Sequence, residues 1–185
     1  MRRQLVVLAI GGALATGVAA CGSSPSANSS GSGGSSTTTR GVPSTTGGGS
    51  STTGATATAA LSAAVIAAVD MERLALSTYQ NVVAAQGDIA PFSNVIESEK
   101  QHVSTLERLA QAHGISLPST SPAGPAAPAT KTAACQLGVQ TEQDDIALYG
   151  RLLPEVQAFP DAVTVFTSLQ SASRDSHLPA FQHCA

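Results

Sequence analysis

From about Leu61 onward, apolar positions recur every three or four residues, the spacing of one face of an α-helix. Val69, Glu72, Leu76, Tyr79 and Val83 form the first stripe, and Gly87 stops it in the position that favours glycine after a helix. Pro91 suits the first turn of a second helix, with Phe92, Val95, Ile96, Glu99, His102, Val103, Leu106 and Leu109 on one face and a stop at His113-Gly114. So short a connection makes these two helices antiparallel neighbours. Residues 116–132 carry Pro118, Pro122, Pro125 and Pro128, which read as an extended, stiff strand of chain. Such a segment is long enough to cross from one end of a helix to the other.

A third stripe, Val139, Glu142, Ile146, Tyr149 and Leu153, repeats the first at an offset of 70 residues. Both stripes hold a glutamate with a tyrosine seven positions on. Pro154 should end or kink the third helix. Pro160-Asp161 opens a fourth, with Val163, Phe166, Leu169, Ser173, His177, Phe181 and Cys184 along one face and a break expected near His177 because of Pro179. The pattern predicts an all-α fold: a duplicated helix hairpin, giving a four-helix bundle over residues 59–185 with a long crossover between helices 2 and 3.

The first 58 residues read differently. Arg2-Arg3 precede an apolar run from Leu5 to Ala20 that is short for a membrane-spanning helix and ends in small residues, the form of an export signal over residues 1–20. Val18-Ala19-Ala20-Cys21 resembles a bacterial lipobox. That resemblance implies lipidation of Cys21, an anchor in the cell membrane and a domain on its extracytoplasmic face. Residues 21–58 are almost all Ser, Thr, Gly and Ala, too polar to offset chain entropy by burial, and read as a flexible tether.

The 185 residues hold 9 basic and 12 acidic side chains, net −3. The imbalance is concentrated in the helical part, where all the acids lie; with Arg2, Arg3 and Arg40 outside it, six basic groups face twelve acidic ones. A domain of that sign repels phosphate backbones, so nucleic acid is an unsuitable partner. Tryptophan is absent and aromatic residues are few, which disfavours a β-sandwich. Neither a glycine-rich phosphate loop nor a Ser/His/Asp signature is apparent.

The chemistry lies where polar groups interrupt apolar stripes. Glu72 and Glu142 occupy matching places on helices 1 and 3. Glu99 and His102 are three apart on helix 2 and so point the same way, and His177 takes the corresponding place on helix 4. Carboxylates converging in a core repel one another and lose hydration, and a divalent metal with imidazole co-ligands relieves both penalties. Tyr79, Tyr149, Asp145 and Arg174 lie close enough along the helices to flank such ligands.

Glu72, Glu99-x-x-His102, Glu142 and His177, split by a long crossover, resemble the ferritin-like (rubrerythrin-like) superfamily. The strings Asp70-Met71-Glu72-Arg73, Pro91-Phe92-Ser93-Asn94 and Ser176-His177-Leu178 resemble a bacterial branch of exported ferritin-like domains. The resemblance covers about Leu61 to Ala185. It implies an up-down-down-up bundle with a metal site at mid-bundle: Glu72 and Glu142 bridging or capping, and Glu99, His102 and His177 completing the set. Iron is the implied metal, with manganese or zinc compatible with the same ligands. One position departs from the pattern: Arg174 stands three before His177, where a second Glu-x-x-His motif would have its glutamate, and Asp145, three after Glu142 on a neighbouring face, is the residue that could substitute. Three functions follow from these residues: a metal binder that oxidises Fe(II), a non-catalytic metal-binding lipoprotein, or a metal-free interaction module with an Arg174–carboxylate core.

Cys135 opens the third helix and Cys184 ends the fourth, and the hairpin between them has arms of similar length. Antiparallel packing then brings both sulfurs to one end of the bundle. With Cys21 lipidated and the compartment oxidising, a Cys135–Cys184 disulfide is expected.

Overall fold

The computed structural model describes residues 50–185, with side chains from residue 54 onward. The expected export signal, Cys21 and most of the expected tether lie outside the described residues. The described chain is all-α: α1 Ser50–Gln86, α2 Phe92–Ala112, α3 Lys131–Leu152, a 3-10 turn Leu153–Val156, α4 Pro160–Ala172, a π turn Ser173–His177, and α5 Leu178–Cys184. No strand occurs among the described residues.

One boundary differs from the sequence expectation. Helix α1 begins at Ser50, inside the stretch read as tether, because Ala55, Ala57, Ala59 and Ala60 sustain a helix already started downstream. Residues 54–60 are mostly exposed, and Leu61 is the first fully buried residue among those described, so the core still starts there.

Helices α1 and α2 form an antiparallel pair around Gly87, whose φ is 81°. Helix α3 packs on α1 and on α4, and α2 packs on α4. The proline-rich crossover runs beside α1 in the same direction, held by α1 side chains. Arg73 Nη1 donates to Pro118 O (2.9 Å), Asn81 Nδ2 to Pro125 O (2.9 Å) and Gln86 Nε2 to Pro128 O (2.6 Å). It therefore returns the chain to the end where α1 finishes, so that α2 and α3 run in one direction and α1 and α4 in the other. Gly54–Gln86 is long and apolar enough to span a membrane, yet it carries Asp70, Glu72 and Arg73, and its buried face is the interior of this assembly.

Two apolar clusters fill the ends of the interior. One gathers Leu61, Val65, Val69, Leu106, Leu109, Tyr149, Val156 and Phe166. The other gathers Tyr79, Val82, Phe92, Val95, Ala134, Cys135 and Phe181. At the second end Cys135 and Cys184 form the expected disulfide, with Cα atoms 5.6 Å apart. The rods break where prolines stand: at Pro154, which lies in the 3-10 turn, and around the π turn that precedes Pro179. In the π turn the Leu178 amide donates to the Ser173 carbonyl five residues back.

Candidate metal centre

Between the two apolar clusters lies a buried polar layer. Glu72, Glu99 and Glu142 are 1–2% exposed, Asp145 3%, His177 5% and His102 8%. Each of the five residues anticipated as ligands is in this layer, one from α1, two from α2, one from α3 and one from the π turn.

Their arrangement is a chain of alternating acids and imidazoles. His102 Nδ1 lies 3.2 Å from Glu72 Oε2 and 3.2 Å from Glu99 Oε2. His177 Nδ1 lies 3.0 Å from Glu99 Oε1 and 3.5 Å from Glu142 Oε2. Glu99 is thus the central acid, touched by both imidazoles, whose rings stack at 5.3 Å. A phenol closes each end: Tyr149 Oη donates to Glu72 Oε1 (2.5 Å), and Tyr79 Oη donates to Glu142 Oε1 (2.6 Å). The tyrosine of each hairpin therefore serves the glutamate of the other.

The electrostatics follow from that order. Burial alone would raise Glu99, but hydrogen bonds from His102 and His177 outweigh it and hold the carboxyl at about 2. Burial opposes charge on the imidazoles, and their acid neighbours overcome it, lifting His102 to about 10 and His177 to about 9. Glu72 is raised well above the usual carboxylate range by burial, against the lowering effect of His102. Both phenols are also raised, by burial first and then by the adjacent carboxylates, so they stay protonated donors.

Two flanking residues turn out differently from their sequence reading. Arg174 does not enter the layer. Its side chain is half exposed and pairs with Asp175 at 2.9 Å, so an Arg174–carboxylate core does not form. Asp145, expected on a neighbouring face, is inside. The inward stripe of α3 is Gly138, Glu142, Asp145 and Tyr149, while Val139 and Ile146 are half-buried beside it. Glu142 and Tyr149 fit a stripe through Asp145 as well as one through Ile146, because i+3 and i+4 both fall on one side of a helix. Asp145 Oδ2 accepts from Ser173 Oγ at 2.5 Å. Burial, set against that hydrogen bond, lifts Asp145 to about 7. Ser173 is the participant that sequence reading did not single out, although it sits four before His177 on the inward stripe.

The donor set fits a divalent cation. One donor atom each from Glu99, His102 and His177 lies within 4.8 Å of the others. Asp145 Oδ1, in the same layer, has no hydrogen-bond partner among the described residues. Buried polar atoms are seldom left unpaired, so an orphaned carboxylate oxygen beside this cluster is what a site open to a ligand would show. His102 also floors a cleft of about 320 Å³ between α2 and α4, lined by Gln101, Thr105, Thr164 and Ser168, which reaches the layer from solvent.

The described fold is similar to two solved structures. The hypothetical protein MJ0754 from Methanococcus jannaschii matches with a TM-score of 0.58 and 21% identity, over 65% of this chain and 76% of that one. The conserved hypothetical protein rv2844 from Mycobacterium tuberculosis matches with a TM-score of 0.59 and 16% identity, over 69% of this chain and 91% of that one. At such identities the likeness concerns the helical architecture alone. No protein-family profile and no curated protein matches the chain.

Proposed function

We propose that residues 59–185 are a ferritin-like four-helix bundle that binds iron, or manganese or zinc in its place, through Glu72, Glu99, His102, Glu142 and His177. The supporting observation is the convergence of Glu99, His102 and His177 donor atoms within 4.8 Å, fully inside the protein. Acid-rich, imidazole-containing sets of this kind suit all three metals. A bound iron would supply one-electron redox chemistry; the chain itself supplies ligands, protonated phenols and a largely apolar cleft to His102. We also propose that Cys21 carries lipid and holds the domain at the extracytoplasmic face of a membrane, on the strength of the lipobox-like Val18–Cys21 string.

Metal analysis of the tag-free domain by plasma mass spectrometry tests the first reading. Wild type should retain metal and melt higher with it, as expected for a ligand that binds only the folded state. Glu99→Ala and His102→Ala should do neither; metal uptake equal to wild type in both would sink the assignment. Oxidation of Fe(II) faster than that of free Fe(II) would make the protein an enzyme, and an equal rate would make it a binder. For the anchor, detergent-phase partitioning of wild type should be lost in Cys21→Ser.

A further inference from the structure

The π turn and α3 face each other through two rungs. On one, Glu142 Oε2 meets His177 Nδ1 at 3.5 Å. On the other, Asp145 Oδ2 meets Ser173 Oγ at 2.5 Å. A serine is thus the second π-turn residue in the layer, and the position three before His177 points to solvent as Arg174. The inward face of the π turn carries no carboxylate, Asp175 being exposed and paired with Arg174, and one stands across the gap, three residues after Glu142. Asp145 is 97% buried, and its Oδ1 has no hydrogen-bond partner. Among the described residues, no basic side chain is buried apart from the two histidines.

We propose that Asp145 is itself a metal ligand, the fourth carboxylate of a two-cation site in which Glu142-x-x-Asp145 and His177 hold one ion and Glu72, Glu99 and His102 hold the other. Ser173 keeps one Asp145 oxygen fixed and leaves the other for the metal. Charge is compatible with the count: four ionised carboxylates with neutral imidazoles are balanced by two divalent ions. The inference rests on the metal-binding reading above and adds to it a residue and a stoichiometry.

Titration of the metal-free domain with Zn(II), followed by calorimetry and plasma mass spectrometry, tests it. Wild type should take up two ions and Asp145→Asn one, with the second ion weakened at least about tenfold. Asparagine preserves the shape and the Ser173 contact, and circular dichroism would check that the helices persist. Arg174→Glu should still bind two, because that side chain faces water. Mn(II) electron paramagnetic resonance reads the same question in wild type alone: two adjacent ions give an exchange-coupled spectrum, and isolated ions give six lines. Uptake of two ions by both wild type and Asp145→Asn at equal affinity overturns the role of Asp145 and leaves metal binding intact. One ion in wild type, or an uncoupled spectrum at saturation, overturns it likewise. No uptake by wild type removes both readings together.

Discussion

Glu99 sits between two imidazoles, and folding pushes it in the opposite direction from its neighbours. The folded values of Glu72, Asp145, His102 and His177 are all raised. A raised group contributes stability that is complete below its unfolded value and is lost as pH climbs through its folded value. For Asp145 that loss runs from 3.8 to about 7, and for the histidines from 6.5 to about 9 or 10. Glu99 acts oppositely, losing its contribution only as pH falls from 4.5 to about 2. The metal-free domain should therefore melt progressively lower between about pH 5 and about pH 9. Metal has the other slope, since ligation requires the imidazoles to give up protons, so Zn(II) should tighten as pH rises. Scanning fluorimetry across that range, with and without Zn(II), checks both. Parallel slopes would mean that the layer does not exchange protons for metal.

At the level of elements, the fourth rod explains what sequence periodicity could and could not give. Its inward residues Phe166, Leu169, Ser173, His177 and Phe181 end in three successive steps of four. An α-helix of about 3.6 residues per turn would rotate such positions progressively away from the core. The π turn Ser173–His177 absorbs the excess. His177 was legible from the stripe, and a break near it was legible from Pro179. The outward turn of Arg174 was not, because its position relative to His177 depends on how many residues the turn contains. Helix α3 shows the complementary ambiguity: an apolar Ile146 and an acidic Asp145 compete for one place, and the polar layer across the gap decides for the acid. The α3–α5 contact also allows a signed test. A Cβ on Gly138 would collide with the Phe181 ring, whereas one on Gly150 would meet Gln170 Nε2 at an ordinary 3.6 Å. Gly138→Ala should destabilise by about 1–3 kcal/mol in urea denaturation. Gly150→Ala should stabilise by up to about 1 kcal/mol through helix propensity. Equal effects would contradict the close packing of α3 on α5.

For the whole molecule, the order of helices, the first core residue and the cysteine pair were readable because each follows from periodicity, punctuation or arm length. The path of the crossover was readable only as a length; its course along α1 depends on Arg73, Asn81 and Gln86 reaching its carbonyls. Where α1 begins was misread, since an alanine-rich helix extends beyond the residues its core requires. The Cys135–Cys184 bridge spans 49 residues of sequence. In the chain-entropy model a loop of that size is worth about 4 kcal/mol. Reduction should lower stability by roughly that amount and loosen α5, which leads directly out of the turn bearing His177. Urea titrations with and without a reductant measure the first effect. Zn(II) affinity under the same two conditions measures the second, and an unchanged affinity would show that the π turn holds His177 unaided.

The exchanged phenols, Tyr149 on Glu72 and Tyr79 on Glu142, make the two hairpins mutually dependent. Neither hairpin, folded alone, can finish its own acid. The polar layer comes into being only when both halves have met across the crossover, which makes it a checkpoint for assembly: a half-built chain presents scattered carboxylates rather than a finished cluster.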